Sequence, residues 1–323
     1  MDSYYNFEGF DISPLINGGK ETKLEDLFQN YKITKNAMGE FMELTWNESL
    51  CACNINLNKL KINLLQNLKT VYYIGDKIEQ KLIRRGVKSL YDLKINFKYM
   101  HSVNNLLNLI KNKDYFRLCG NRYINDLDVA FCFELEDLLF LDIETMGTYN
   151  SPIIIIGIGF FRNQTFEIHI LFARDFSEEI TLLEHFKNEI IPHFKCFVTY
   201  NGKSFDIPYI ANRFLYYFDN NPMITDQDTP YEDFNTKFHH IDLYHNCRRK
   251  FKEDFEGFTL TNMEKELLDI KRNLDIPGVL AGFFYKKYLE DPFRNGGLIK
   301  KVIEHNYYDI YSMPLLLHKL IEE

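Results

Sequence analysis

From residue 138 onward, apolar runs of strand length alternate with segments of helical period. Leu138-Leu139-Phe140-Leu141 leads into Asp142-Ile143-Glu144-Thr145, which reads as a strand over 138–143. A turn with Gly147, Asn150 and Pro152 follows. The run from Ile153 to Phe161 is apolar throughout, which predicts a strand buried on both faces. Residues 165–172 alternate and predict a third strand, and the short links predict an antiparallel meander. Residues 176–190 read as an amphipathic helix capped by Ser177. Cys196 to Tyr200 is a fourth strand, followed by a turn into a helix carrying Ile210, Phe214 and Tyr217. Residues 219–237 read as a loop, residues 239–243 as a fifth strand, and Arg248 to Lys252 as a basic helix. Thr259 caps a helix to Leu268, and further helices run over about 279–290, 297–305 and 306–321.

Upstream the pattern is different. Residues 1–56 carry scattered signals: apolar Phe10, Ile12 and Leu15, a turn at Asn17-Gly18-Gly19, and a helix start at Thr22 with Glu25 three residues on. They receive no functional assignment. Leu60, Leu64 and Leu68 follow at helical spacing. The stretch from Tyr73 to Leu93 predicts a tight turn at Gly75, a helix with Ile78 and Leu82 inward, a stop at Gly86, and a second short helix capped by Ser89. It resembles a helix-hairpin-helix module, although the familiar turn has two glycines and this one has Ile74-Gly75. The resemblance implies that Gly75 offers backbone N–H groups to a phosphate, with Lys77, Lys81, Arg84, Arg85 and Lys88 adding sequence-independent contacts. An ordinary helical hairpin is the alternative. Residues 99–124 read as basic and helical. A boundary near 125–136 divides a basic helical module over 57–130 from a second domain over 137–321.

Charge sharpens that division. The chain of 323 residues has a formal net charge of −8. Residues 57–122 hold 14 Lys/Arg against 4 Asp/Glu, while the remainder holds 24 against 42. A positive segment on an acidic chain suggests a polyanion-binding module beside an acidic metal site. The start lacks the basic head and apolar run of a signal peptide, and no apolar stretch reaches membrane-spanning length. The six cysteines show no C-x-x-C pair, and Cys51-Ala52-Cys53 reads more as idle thiols than as half a metal site. A cytoplasmic protein with reduced thiols, and no membrane partner, is expected.

The candidate chemistry begins at the first strand. Side chains alternate across a strand, so Asp142 and Glu144 share a face. Paired carboxylates at a buried strand end repel each other and resist desolvation, and a divalent cation offsets both costs. Two solvated acids at an exposed strand end are the alternative. Gly157-Ile158-Gly159 superficially matches a dinucleotide loop, but no helix follows and the third glycine is missing, so no nucleotide cofactor is expected.

The strand and helix order is that of a ribonuclease-H-like mixed α/β sheet flanked by helices, preceded by a small, mainly helical domain. Asp142-x-Glu144, Phe205-Asp206 and His305-x-x-x-Asp309, in that order, resemble the DEDD 3′–5′ exonuclease superfamily. The YprB-type branch is the nearest pattern, with its Asp-Ile-Glu-Thr strand, Asn-Gly-x-x-Phe-Asp turn, Ile-Asp-Leu strand end and His-Asn-x-x-Asp helix. Tyr200-Asn201 through Ile210 is also similar to the proofreading domain of family B DNA polymerases.

The resemblance implies that Asp142, Glu144, Asp206 and Asp309 hold two Mg²⁺ or Mn²⁺ ions for phosphodiester hydrolysis. His305 stands where one subclass has Tyr, and is either catalytic or structural. Thr145, Asn201, Lys203 and Asn306 are candidates for substrate contact. Asp242 is a structural acid or a ligand, and Arg248, Arg249, Lys250 and Lys252 either guide phosphates or form a solvated face. The expected activity is 3′–5′ exonucleolytic removal of nucleotides from DNA or RNA, at a single-stranded end or a junction. A non-catalytic nucleic-acid-binding platform and a structure-selective endonuclease are the alternatives.

Overall fold

The computed structural model describes residues 22–50, 55–223, 238–272 and 276–322. Phe10, Ile12, Leu15, the Asn17-Gly18-Gly19 turn, Cys51, Cys53 and most of the 219–237 loop lie outside them. Seven strands form one sheet: β1 (Tyr31–Asn36), β2 (Gly39–Glu48), β3 (Leu138–Thr145), β4 (Ile153–Arg162), β5 (Thr165–Phe172), β6 (Cys196–Thr199) and β7 (His239–Asp242). Their spatial order is β1-β2-β5-β4-β3-β6-β7. Neighbours from β1 to β3 pair antiparallel, while β3, β6 and β7 are parallel.

The predicted meander is β3-β4-β5. The finding that sequence reading did not supply is the hairpin β1-β2, which lies in the segment given no role and extends this same sheet along β5. Met42 and Leu44 are fully buried in the sheet's core, which explains the attachment. Residues 31–48 carry turn and strand propensity, but their partner β5 is more than a hundred residues away.

Each face of the sheet has its own core. Leu138 and Phe140 point into one, and Leu139, Leu141 and Ile143 into the other, as alternation requires. The second face is covered by Glu179–His185 and Asp206–Phe218. The first is covered by Leu243–Lys250, Ala281–Glu290 and Pro292–Glu322. In chain order the longer helices are α1 (Asn58–Gln66), α2 (Asp76–Arg84), α3 (Met100–Lys111), α4 (Glu179–His185), α5 (Asp206–Phe218), α6 (Leu243–Lys250), α7 (Ala281–Glu290) and α8 (Pro292–Glu322). Two helix readings change. The helices expected at 297–305 and 306–321 are one helix, α8, which continues through Pro314. The turn before α4 is capped by Asp175, which accepts from the backbone of Ser177, rather than by Ser177.

Residues 57–131 contribute a third core, built on Leu64, Leu68, Leu82, Leu90 and Val103 among others. Helix α1 serves two cores, with Leu60 on the sheet side and Leu64 on the helical side. Ser89 caps its short helix as expected, accepting from Asp92 N. Ile78, read as inward, is 36% exposed, and Leu82 alone anchors that face of α2. The expected boundary near 125–136 is short helical turns whose side chains enter both neighbouring cores. Among the described residues, no helix is long and apolar enough to cross a membrane.

Candidate active site

The site forms where α8 crosses β3 and β4. Asp142 is the cross-strand partner of Gly157. A Cβ at Gly157 would lie 1.9 Å from Asn306 Oδ1, and one at Gly159 would lie 2.6 Å from Ile310. Two residues along a strand and four along a helix both advance by about 6 Å. The glycine pair therefore forms a track on which Asn306 and Ile310 of α8 ride. The close approach lets Asn306 Nδ2 donate to Asp142 Oδ2 at 2.8 Å. The motif set aside as a failed dinucleotide loop is thus a helix-docking groove.

Asp206 arrives from the other side. Parallel pairing of β3 with β6 ends at Phe140 and Val198, and β6 itself ends one residue later at Thr199. Ile143 N then donates to Asp206 Oδ1 at 3.0 Å. Asp206 is the first residue of α5, where unpaired N–H groups favour a carboxylate. Asp309 and His305 come from one face of α8, four residues apart. His305 Nε2 lies 3.4 Å from Asp309 Oδ2 and 4.0 Å from Glu144 Oε1. One ligand atom from each of Glu144, His305 and Asp309 falls within 4.8 Å of the others.

Sequence reading missed the group behind these residues. The Arg272 side chain is 3% exposed and bonds Asp309 Oδ1 and both oxygens of Glu264, with Nε to Oε2 at 2.7 Å. Ser312 also donates to Glu264. Arg272 Nη1 lies 3.2 Å from His305 Nδ1. A guanidinium can only donate, so Nδ1 accepts and Nε2 carries the ring proton toward the carboxylates. His305 therefore meets the acids as a donor. No periodicity marks Arg272, which sits in a connection between helices.

The electrostatics reflect crowding. Burial raises the Asp142 carboxyl well above its usual range, and Asp309, Asp206 and Glu144 add repulsion. Glu144 is pushed up to about 8, chiefly by burial and against the pull of His305. Asp206 is pushed up to about 7, again chiefly by burial, against the N–H of Ile143. Arg272 and His305 are basic groups that touch this set. Several hard carboxyl oxygens, crowded so that they ionise fully only beside a counter-charge, fit divalent cations, and the donor chemistry suits Mg²⁺ or Mn²⁺ better than a soft metal.

The remaining expectations fare differently. Asn306, a substrate-contact candidate, is fully buried and holds Asp142 instead. Lys203, another, sends Nζ 2.6 Å to Asp126. Asn201, at φ 66°, gives its backbone N–H to Asp242 Oδ1 at 2.8 Å. Thr145 donates its hydroxyl to Gly147 O at 2.8 Å. Asp242 is fully buried and accepts from Asn201, Lys203 and Tyr244, so its bonds are those of a structural acid. Of the basic helix, Arg249 bonds Asp126 and Lys250 bonds Leu320 O. Gly75 precedes α2 as its cap, and Lys77, Lys81, Arg84, Arg85 and Lys88 are all exposed on or just after that helix.

A family model described as the RNase_H superfamily matches residues 139–321. The chain is also 30% identical over 192 residues to the uncharacterized protein YprB of Bacillus subtilis (strain 168). That similarity covers 58% of this chain and 42% of the relative, so the chain spans less than half of the relative's length.

Proposed function

Since the chain belongs to the RNase H superfamily, we propose that it is a metal-dependent nuclease acting as a 3′–5′ exonuclease on single-stranded DNA or RNA. The observation that carries this reading is the convergence of half-buried Asp142 with buried Glu144, Asp206 and Asp309, a crowding that raises the carboxyl pKa values of Asp142, Glu144 and Asp206. Asp142, Glu144 and Asp309 would hold one divalent cation and Asp142 a second, with Asp206 acting through water. When bound, such ions supply a water nucleophile at neutral pH and stabilise the leaving oxygen.

The chain's own residues do the positioning. Asn306 fixes the Asp142 carboxylate, and Ile143 N fixes that of Asp206. Arg272 fixes Asp309 and the ring of His305. With its proton on Nε2, His305 orients a water by donation and does not act as its base.

A second reading, a non-catalytic nucleic-acid platform, is favoured by one contact: the guanidinium of Arg272 occupies an Asp309 oxygen that a cation would use. The test is nucleotide release from 5′-labelled DNA and RNA with Mn²⁺ or EDTA, for wild type and Asp142→Ala. A metal-dependent ladder that the variant loses supports the nuclease. Intact strands with retarded mobility support the platform. Cleavage of circular strands would replace exonuclease by endonuclease.

A further inference from the structure

We propose that Tyr72 and Tyr73 form a base-stacking platform for single-stranded nucleic acid at the mouth of a basic cleft. The proposal deepens the nucleic-acid reading above and rests on it. The two rings are 70% and 73% exposed, and their centroids lie 4.1 Å apart at 61°. Neither ring serves the third core, which takes Val71 and Ile74 from the same turn.

The backbone adds an independent observation. Tyr73 has φ 71°, whereas Gly75 two residues on has φ −104°. The turn's glycine-like conformation is thus held by a tyrosine. A bulky residue there is an outlier that a glycine would relieve. The ring is present despite the backbone's preference, which points to a use for the ring.

The cleft beside it has the matching charge. It encloses about 740 Å³ and is lined by Lys69, Arg117 and Arg122 as well as both tyrosines. Arg117 and Gly120 also line a second cleft of about 520 Å³, which carries Phe116, itself 61% exposed, and ends at the Lys203–Asp126 ion pair. Lys203 lies three residues before Asp206 in the chain. Cations along a groove follow a phosphate backbone, and aromatic faces take successive bases. The surrounding segment carries 14 Lys/Arg against 4 Asp/Glu on an otherwise acidic chain, which selects a polyanion as occupant. Bases inside a duplex have no free face for a ring, so the occupant is single-stranded.

The test uses the full chain in EDTA, where no turnover confounds binding. Anisotropy is read with labelled oligothymidylate, oligouridylate and an abasic strand of equal length. Tyr72→Leu and Tyr73→Gly should each weaken the base-bearing strands about tenfold and leave the abasic strand unchanged. Tyr73→Phe should bind as wild type does. Tyr73→Gly should also not lower the melting temperature, because the left-handed φ is relieved, which separates lost stacking from misfolding. Unchanged affinity of Tyr73→Gly, an equal loss on the abasic strand, or a preference for duplex would overturn the platform. Base-dependent loss in a protein that hydrolyses nothing supports the platform and overturns the nuclease reading. Unchanged affinity beside intact hydrolysis overturns the platform alone.

Discussion

Asp126 and Asp142 are carboxylates held against the same sheet, and they differ in their company. Asp126 accepts from Lys203 at 2.6 Å, Asn246 and Arg249 at 2.9 Å, and the N–H groups of Asp242 and Leu127 at 3.0 Å. Its burial would raise its pKa, but Lys203 and these donors hold it well below the usual carboxylate range. Around Asp142 the neighbours are mostly other acids, and burial and repulsion push the carboxyl up. A satisfied buried acid is a structural tie, here fastening residue 126 to the β7 edge. An unsatisfied cluster of crowded carboxyls holds protons that a divalent cation can replace. Lys203 and Arg249 belong to the first kind of site, although the sequence suggested Lys203 as a substrate contact and Arg249 as a phosphate guide or a solvated surface residue.

Opposite substitutions should break this comparison in opposite directions. Asp142→Asn is expected to reduce metal-dependent hydrolysis by about 10³-fold or more. At alkaline pH, where the crowded carboxyls ionise, it should raise the melting temperature of the metal-free protein, because a like charge leaves the cluster. Asp126→Ala should do the reverse: a loss of about 2 kcal/mol in denaturant unfolding, with hydrolysis far less affected. That figure stays at the low end because Lys203 and Arg249 are 34% and 45% exposed and regain water.

Gly157→Ala should cost about 1–3 kcal/mol by pushing Asn306 off Asp142, and should lower kcat more than it alters KM. The pH dependence of the metal-free protein follows from Glu144 and Asp206, raised to about 8 and about 7. Their folded pKa values exceed the unfolded ones, so the folded state holds the extra protons. Stability from these groups is present at low pH and is lost as pH rises from the ordinary carboxyl range toward 8. A melting temperature that climbs over that interval would contradict the crowding. The smallest effect is expected for Lys203→Met, which loses one half-exposed ion pair worth less than about 1 kcal/mol.

The central sheet and the pair Asp142 and Glu144 were legible because both rest on local pattern, while Asp206, Asp309 and His305 came from the resemblance to the DEDD exonuclease superfamily. Alternation placed Asp142 and Glu144 on one face, and strand length marked β3 to β7. The hairpin β1-β2 was not legible, because nothing local in residues 31–48 names β5 as its partner. Arg272 and Asp126 escaped for a similar reason: each sits in an irregular connection and acquires its meaning only from side chains remote in sequence. Gly157 and Gly159 were visible but misleading, since a glycine pair in a strand signals close approach without naming what approaches. Asn306 stood beside the right motif, and burial turned it from a substrate contact into a brace for Asp142.

The central claim is that carboxyls crowded around Asp142, too close together to ionise without a counter-charge, make a divalent-cation site. The most direct measurement is calorimetric titration of Mn²⁺ into the metal-free protein at pH 7, in two buffers of different ionisation heat. The account predicts saturable binding that releases protons from the raised carboxyls and is lost in Asp142→Asn. No binding, or binding that releases no proton and survives Asp142→Asn, would contradict it.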